Sequence, residues 1–147
     1  MENVKPVNIL MADDDADDRM LMKEALDENN IANEMHFVED GEELVHYLYR
    51  RGRFNVFNTF RPGLILLDLN MPKIDGREAL KIIKSDKDLR RIPVVILTTS
   101  KTQNDIFESY DLGVNSFISK PVHYDHLIEI AREIANYWFR TVSLPVQ

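Results

Sequence analysis

Short, continuous apolar runs alternate along the chain with segments whose apolar residues recur every three or four positions. Runs of this length without a polar alternation are typical of strands buried on both faces. They predict five strands, at residues 7–12, 34–38, 63–69, 93–98 and 116–119. The third, GLILLDL, is the clearest, and its run of apolar residues is interrupted abruptly by an acid, Asp68.

Helical spacing fills the gaps between these strands and follows the last of them. Helices are predicted after the first strand and over residues 40–50, 76–84 and 103–112, with Gly113 ending the fourth. A fifth helix is predicted after the last strand. In three of these helices the inward-facing positions are Leu21, Ala25 and Leu26, then Leu44, Val45 and Leu48, then Leu127, Ile130, Ala131, Ile134 and Trp138.

Five repeats of strand then helix predict an α/β fold with a parallel sheet covered on both faces. Right-handed crossovers leave few topologies, and a flavodoxin-like (βα)5 three-layer sandwich with strand order 2-1-3-4-5 suits this length. We expect one domain over residues 1–147, with a short C-terminal extension at 139–147 and no output domain. One connection, RRGRFNVFNTFRP from Arg50 to Pro62, is long for a helix-to-strand loop.

Composition narrows the class of protein. Hydrophobic residues make up 44% and charged residues 29% of the chain, as in ordinary globular domains. A net charge of −7 argues against general binding to nucleic acid or membranes. The absence of cysteine excludes disulfides and thiolate zinc sites. Without a secretory signal or a membrane-spanning apolar stretch, a cytoplasmic location is expected.

Polar residues follow four of the five predicted strands. They are Asp13, Asp14 and Asp15 after the first, Asp68 after the third, Thr98 and Thr99 at the fourth, and Ser119 and Lys120 at the fifth. The carboxyl ends of parallel strands share one edge, and ligands bind there at the switch in strand order. The sequence therefore predicts one site that combines acids, hydroxyls and an amine.

Clustered carboxylates favour a hard divalent cation, and Mg²⁺ is the usual choice alongside phosphate. Such an ion would hold Asp14 and Asp68 together, while Lys120 offers a mobile positive charge to phosphoryl oxygens. Thr98 can donate a hydrogen bond. In-line attack by the Asp68 carboxylate on phosphorus would then give an acyl phosphate.

Four motifs carry a resemblance to a known family. ADDD, LILLDLNMPKIDG, VVILTTS and FISKP, in this order, resemble the receiver domain of two-component response regulators, over about residues 7–135. The separations agree as well, with 30 residues from Asp68 to Thr98 and 22 from Thr98 to Lys120. The resemblance implies a signalling protein that takes a phosphoryl group from a histidine kinase and catalyses only its own phosphorylation and dephosphorylation.

The resemblance also implies roles for the acidic residues. It makes Asp68 the phosphoacceptor and Asp14 a direct Mg²⁺ ligand, with Asp13 holding the metal through water. Asn70 would contribute its backbone carbonyl to the metal.

Further positions match the family's phosphate-binding and switching residues. Lys120 would bind phosphate, with a cis bond to Pro121, and Thr99 would bind phosphate through its backbone. Thr98 and Phe117 match the hydroxyl and aromatic positions that move together on phosphorylation. Phe117 departs from the frequent tyrosine, so it cannot form an outward hydrogen bond.

A narrower resemblance concerns receivers that pair with bacterial phytochrome-type kinases. RPGLILLDLNMPKIDGREAL, RRIPVVILTTS and YWFRTVSLP are similar to segments of that group. It implies a phytochrome-type histidine kinase as partner and a homodimer formed through the fourth and fifth helices and the C-terminal tail.

Several features allow other interpretations. Asp68 could merely end a strand, and Asp17 and Asp18 suit the start of a helix. An EF-hand loop is disfavoured, because glycine is missing at its sixth position. His123 and His126 could be a metal pair or surface residues.

Aromatic residues also allow two interpretations. Those in the 50–62 connection could stack on single-stranded nucleic acid, although packing over the sheet edge is favoured. Trp138 and Phe139 could belong to the core or to a self-association surface.

Two other functions compete with the receiver hypothesis. An aspartate-nucleophile phosphatase would need a second aspartate two residues after Asp68, where this chain has Asn70. A phosphorylation-independent interaction module is disfavoured by the intact acidic cluster.

Overall fold

Five parallel strands form a single sheet in the order β2-β1-β3-β4-β5, as predicted. The computed structural model describes residues 7–28, 34–100 and 102–145. The strands are β1 Ile9–Ala12, β2 Met35–Val38, β3 Leu64–Leu67, β4 Val94–Thr98 and β5 Ser116–Ser119. They are shorter than predicted at four of the five positions, while the 116–119 prediction is confirmed.

Five helices alternate with the strands. They are α1 Ala16–Glu28, α2 Gly41–Tyr49, α3 Gly76–Ser85, α4 Gln103–Leu112 and α5 Tyr124–Ala135. A 3₁₀ turn at Leu89–Arg91 precedes β4, and a π-helical segment at Asn136–Thr141 continues α5. Gly113 ends α4 in the left-handed conformation, with φ of 102°, as its position predicted.

Alternate strand residues feed two apolar cores, one on each face of the sheet. Leu10, Ile65 and Ile96 pack on the side covered by α2 and α3. Leu66 and Leu97 pack on the side covered by α1 and α5. Burial on both faces explains why β1, β3 and β4 read as continuous apolar runs, and it confirms the three-layer architecture.

The residues after α5 complete the second core. Trp138 and Phe139 are 9% and 4% exposed and pack in the same cluster as Ile134. The structure thus supports the core interpretation of both aromatic side chains.

The 50–62 connection crosses the edge of the sheet near β2. Phe54 is buried, and the ring of Phe60 stacks on His36 with centroids 4.1 Å apart. The packing interpretation therefore holds for these two residues. It is wrong for Phe57, which is 94% exposed.

None of the helices in the described ranges combines the length and the apolar character that crossing a bilayer requires.

Candidate functional site

Two buried acids extend the neighbouring strands β1 and β3 at the switch in strand order. The amide of Asp13 donates to the carbonyl of Val38 at 3.1 Å, and that of Asp68 donates to Ala12 at 3.0 Å. The strand ladder thus continues one residue past each strand and fixes both acids at the carboxyl edge. Asp13 is 1% and Asp68 5% exposed.

Lys120 joins these acids from the far side of the sheet. Its amide donates to the carbonyl of Thr98 at 2.7 Å, which extends β5 beside β4. Its Nζ atom lies 2.5 Å from Asp13 Oδ2, 2.7 Å from Asp18 Oδ2 and 3.1 Å from Asp68 Oδ2. The structure therefore brings the amine and the strand-end acids together, although they are 52 or more residues apart in sequence.

Burial and ion pairing shift the pKa values of Lys120 and Asp13 in opposite directions. Burial would lower the pKa of Lys120, but its hydrogen bonds to Asp13 and Asp18 raise that pKa above the usual value. Burial raises the pKa of Asp13 to about 6, although the bond from Lys120 lowers it. The ammonium consequently stays charged at neutral pH and compensates the buried carboxylates.

The Asp68 carboxylate is fixed by donors on both of its oxygens. The hydroxyl of Thr98 donates to Asp68 Oδ1 at 2.7 Å, and the amide of Asn70 donates to the same oxygen at 3.0 Å. Lys120 approaches the other oxygen. A residue that merely ended a strand would not require donors from two other strands in addition to the amide of its own turn.

The side chains beyond Asp68 form a polar rim. Asn70 Nδ2 lies 3.3 Å from the hydroxyl oxygen of Thr99 and 3.5 Å from that of Thr98. Asn70 and Thr99 are exposed, whereas Thr98 is fully buried. The rim is therefore open to solvent directly above the buried Asp68–Thr98 pair.

Three carboxylates fit a divalent cation at this edge. Asp13, Asp14 and Asp68 each offer an oxygen atom, and these atoms lie within 4.8 Å of one another. Hard oxygen donors with a net negative charge suit Mg²⁺ or a similar ion. In the described part of the chain, no other set of three metal-binding side chains meets this condition.

The two other metal hypotheses find no support. His123 and His126 are exposed, and their rings lie 5.9 Å apart without a third ligand among the described residues. α1 begins at Ala16, so Asp17 lies in a helix and the EF-hand loop does not form.

Phe117 lies apart from the acids. Its register partner on β4 is Ile96, while Thr98 pairs with Ser119. Its side chain is partly buried against the first core, and its amide donates to the hydroxyl oxygen of Tyr110 at 3.3 Å.

The expected cis bond between Lys120 and Pro121 is wrong, because the described residues contain no cis peptide. The trans form is intrinsically favoured for X–Pro bonds. Lys120 reaches the acids with this trans bond.

The sequence interpretation missed two parts of the site. Asp18 binds Lys120, in addition to lying in the first turn of α1, where its charge suits the helix dipole. Its place in the first turn of α1, a few residues after the strand-end acids, was the available signal. A second missed feature is the ion pair of Arg77 and Asp105, for which the sequence has no local signal.

Gly76 allows α3 to begin directly against the Asp68 backbone. A Cβ atom at this position would overlap the carbonyl oxygen of Asp68 and crowd the Cα of Leu69. The amide of Gly76 donates to the carbonyl of Leu69 at 3.0 Å. Glycine is thus required here by close approach.

Known proteins resemble this chain over nearly its whole length. A family model described as the response regulator receiver domain matches residues 9–132. Response regulator Rcp1 from Synechocystis sp. is 41% identical over 144 residues, which are 98% of this chain and 97% of Rcp1. The probable methanogenesis regulatory protein FilR2 from Methanothrix harundinacea is 34% identical over 140 residues, 94% of this chain and 87% of FilR2.

Two solved structures share the fold closely. The Mn²⁺-bound form of Rcp1 has a TM-score of 0.90 at 41% identity, covering 96% of this chain and all of that one. The phosphorylated cyanobacterial phytochrome response regulator RcpA has a TM-score of 0.91 at 44% identity, covering 97% and 100%.

Proposed function

Because this chain belongs to the response regulator receiver domain family, we propose that it accepts a phosphoryl group on Asp68 from a sensor histidine kinase. The observation that carries the proposal is the environment of Asp68. Its carboxylate lies between a donating hydroxyl and an ammonium, beside two further acids that fit a divalent cation.

The proposed reaction is a transfer from a phosphoimidazole to a carboxylate. An oxygen of Asp68 attacks phosphorus and forms a P–O bond, while the P–N bond of the donor breaks. The electron pair of that bond goes to the imidazole nitrogen, which takes up a proton. The product on this chain is an acyl phosphate.

The chain's own residues position the groups and neutralise charge. Lys120 offers its ammonium to a phosphoryl oxygen, and Thr98 can turn its hydroxyl from Asp68 to the same group. We propose that Asp14, Asp68 and the carbonyl of Asn70 hold Mg²⁺, with Asp13 acting through water. The bound ion would neutralise charge between the carboxylates and the phosphoryl group.

Thr98 and Phe117 are the proposed switch residues, and the backbone of Thr99 is a proposed phosphate ligand. A change of hydrogen-bond acceptor at Thr98 would alter β4 and the segment that leads into α4. Phe117 borders the same region, because β5 pairs with β4.

Labelling with acetyl phosphate tests the proposal. In the presence of Mg²⁺ we expect the chain to be phosphorylated and Asp68→Asn to abolish the label. Asp111→Asn, which removes an exposed acid on α4, is the matched control and should label like the wild type. Full labelling of Asp68→Asn would contradict the assignment.

We propose a phytochrome-type histidine kinase as the partner and a stand-alone mode of action in the cytoplasm. The match to RcpA, a phytochrome response regulator, supports the partner. The 97% coverage of Rcp1 by this chain supports the stand-alone mode. Phosphotransfer from a purified kinase of this type would test the pairing, and transfer from unrelated kinases alone would contradict it.

A homodimer through α4, α5 and the tail forms part of the proposal. Phe107 and Tyr110 on α4 and Tyr137 after α5 are large aromatic side chains, each at least half exposed. Sedimentation before and after phosphorylation should show a change in mass. A monomer in both states would end this part of the proposal.

The competing functions receive no specific support. The side chain of Asn70 contacts Thr98 and Thr99 and carries no acidic proton for a phosphatase reaction. We therefore propose that the chain turns over no other phosphate ester. The compact acidic cluster likewise gives no reason to prefer an interaction module that is never phosphorylated.

A further inference from the structure

A bidentate ion pair joins the first turns of α3 and α4. Nε and Nη2 of Arg77 donate to the two carboxylate oxygens of Asp105, each at 2.6 Å. Asp105 is 7% exposed. Bidentate guanidinium–carboxylate pairs are stronger and more directional than single contacts, so this pair fixes the two helix starts relative to each other.

The segment between β4 and α4 is attached to the same carboxylate. The hydroxyl of Ser100 donates to Asp105 Oδ2 in a short hydrogen bond. Ser100 lies two residues after Thr98, and its amide approaches the hydroxyl oxygen of Thr98 at 3.4 Å. The amide of Asp105 donates to the side chain of Thr102, which caps α4. Ser100 and Thr102 are thereby both tied to Asp105, and Ser100 also to Thr98.

The other end of the ion pair reaches the residue after Asp68. Nη1 of Arg77 lies 3.5 Å from the carbonyl oxygen of Leu69, and Thr98 donates to Asp68 itself. Asp68 is thus linked to α4 by two routes, one through Thr98 and Ser100 and one through Leu69 and Arg77. Both routes end on Asp105.

We propose that Ser100, Asp105 and Arg77 form a polar clamp that couples the state of Asp68 to the position of α4. These are positioning residues, since their side chains bond to one another and to the Leu69 carbonyl and not to Asp68. The inference rests on the proposed function and adds to it the route by which phosphorylation reaches α4.

The coupling follows from the hydrogen bonds of Thr98. When Asp68 carries a phosphoryl group, the Thr98 hydroxyl changes its acceptor from the carboxylate to a phosphoryl oxygen. The backbone that follows Thr98 shifts with it, and Ser100 moves too. Because Ser100 is bound to Asp105, the first turn of α4 follows the shift, whereas a loop without this bond would absorb it.

The low exposure of Asp105 and its charged partner support a persistent clamp. The hydrogen bonds from Arg77 hold the pKa of Asp105 well below its usual range, although burial opposes them. The carboxylate therefore stays ionised, and the pair stays intact, throughout the neutral range.

The test compares labelling of Asp68 with the response of α4 in the same sample. Backbone amide chemical shifts of residues 103–112 are recorded for the full chain with Mg²⁺, before and after acetyl phosphate is added. In the wild type we expect Asp68 to be labelled and the amide shifts of α4 to change in the same sample. In Asp105→Asn and in Ser100→Ala we expect the α4 shifts to shrink about twofold or more, while labelling persists.

Conservative and neutral variants separate coupling from stability. Ser100→Thr keeps a hydroxyl and should restore the α4 response that Ser100→Ala loses. Asn104→Ala is the matched control, because Asn104 is exposed on the same turn and bonds only within α4, to Glu108. It should respond like the wild type.

Different results would overturn the proposed function and the proposed clamp. A wild-type chain that takes no label overturns the proposed function and the clamp with it. If the wild type is labelled and the α4 shifts of Ser100→Ala are as large as those of the wild type, the clamp alone is overturned. If Asp105→Asn fails to fold, the comparison of Ser100→Ala with Ser100→Thr decides the question, because both keep the Arg77–Asp105 pair.

Discussion

At the scale of single residues, the site balances three buried or half-buried carboxylates with one ammonium. Lys120 contacts Asp13, Asp18 and Asp68 at 2.5–3.1 Å. In the proposed reaction the same ammonium turns to the phosphoryl group, so it serves both the resting protein and the transfer. Its removal should therefore affect labelling and cation binding in opposite directions.

We expect Lys120→Gln to slow labelling by acetyl phosphate by about a hundredfold, since one preorganised positive charge is lost. The affinity for Mg²⁺ should rise, because the carboxylates lose their internal competitor. Labelling kinetics and calorimetric titration measure the two effects. Lys87→Gln, at an exposed lysine, is the control. Unchanged labelling, or weaker Mg²⁺ binding, would contradict this role of Lys120.

The low pKa of Asp105 predicts a pH-dependent stability. In the unfolded chain this carboxyl has the pKa of an unperturbed aspartate, about 3.9. Because the folded value is lower, the stabilisation is present above about pH 4 and is lost as pH falls through the folded pKa. We expect Asp105→Asn to lower the free energy of unfolding by about 1–3 kcal/mol at neutral pH.

Urea unfolding of both proteins at several pH values checks this expectation. The difference in unfolding free energy between wild type and variant should narrow as pH falls below about 4, because the carboxyl of the unfolded chain takes up its proton before the folded one does. Asp111→Asn, at an exposed acid on the same helix, should show little difference at any pH. A difference between wild type and Asp105→Asn that is independent of pH would contradict the ion-pair origin.

The positions of some site residues could be predicted from the sequence, and those of others could not. Asp13, Asp68, Thr98 and Lys120 were predicted to meet because each lies at or just past the carboxyl end of a predicted strand, and parallel strands end at one edge. Arg77 and Asp105 lie 28 residues apart on two helices. Their pairing depends on the rotation of both helices about their axes, which an apolar pattern fixes only coarsely.

At the scale of elements, the starts of α3 and α4 matter most, because α3 packs on the backbone of Asp68 and α4 is linked to Asp68 through Ser100 and Thr98. Apolar spacing, together with stop signals such as Gly113, made the existence of all five helices predictable. The π-helical segment at Asn136–Thr141 was not predictable. The apolar spacing of Ile134 and Trp138 continues through it unchanged, so the pattern contains no sign of the wider backbone turn.

The close contact between Gly76 of α3 and the backbone of Asp68 and Leu69 predicts a position that tolerates no larger side chain. We expect Gly76→Ala to lower the free energy of unfolding by about 2–3 kcal/mol, because the added Cβ overlaps backbone atoms that cannot move freely. Labelling of Asp68 should also slow, since its own carbonyl must shift. Denaturant unfolding and labelling kinetics measure both effects.

Gly52→Ala is the comparison, at a glycine with φ of +62° and no crowding closer than 4.0 Å. It should cost only about 1 kcal/mol, from the left-handed backbone, and leave labelling unchanged. If the two substitutions changed stability and labelling equally, the close contact of Gly76 with the backbone of Asp68 would not be the cause.

At the scale of the whole molecule, charge is distributed unevenly. The chain carries a net charge of −7, and three of its acids meet at one edge of the sheet. Their mutual repulsion is compensated only in part by Lys120. A cation that binds the folded state alone should therefore stabilise the entire fold.

We expect Mg²⁺ at a hundred times its dissociation constant to raise the free energy of unfolding by about 2.7 kcal/mol. Asp14→Asn should remove most of this gain, because Asp14 is the proposed direct ligand. Asp111→Asn is again the control. Thermal unfolding over a series of Mg²⁺ concentrations provides the measurement, and a midpoint independent of Mg²⁺ would contradict the metal site.

The 50–62 connection leads into the amino end of β3 and carries the exposed ring of Phe57, whereas the acidic cluster follows the carboxyl ends of the strands. The chain contains no cysteine, and Phe57→Cys would therefore create a unique thiol for a fluorescent dye. The asparagine side chains that brace this loop, with Asn55 Oδ1 accepting from the amide of residue 57 at 2.8 Å, would limit local wobble of the attached dye. The fluorescence anisotropy of the dye would then report the tumbling of the whole protein and therefore any dimerisation. The dye would be attached outside the proposed phosphorylation site.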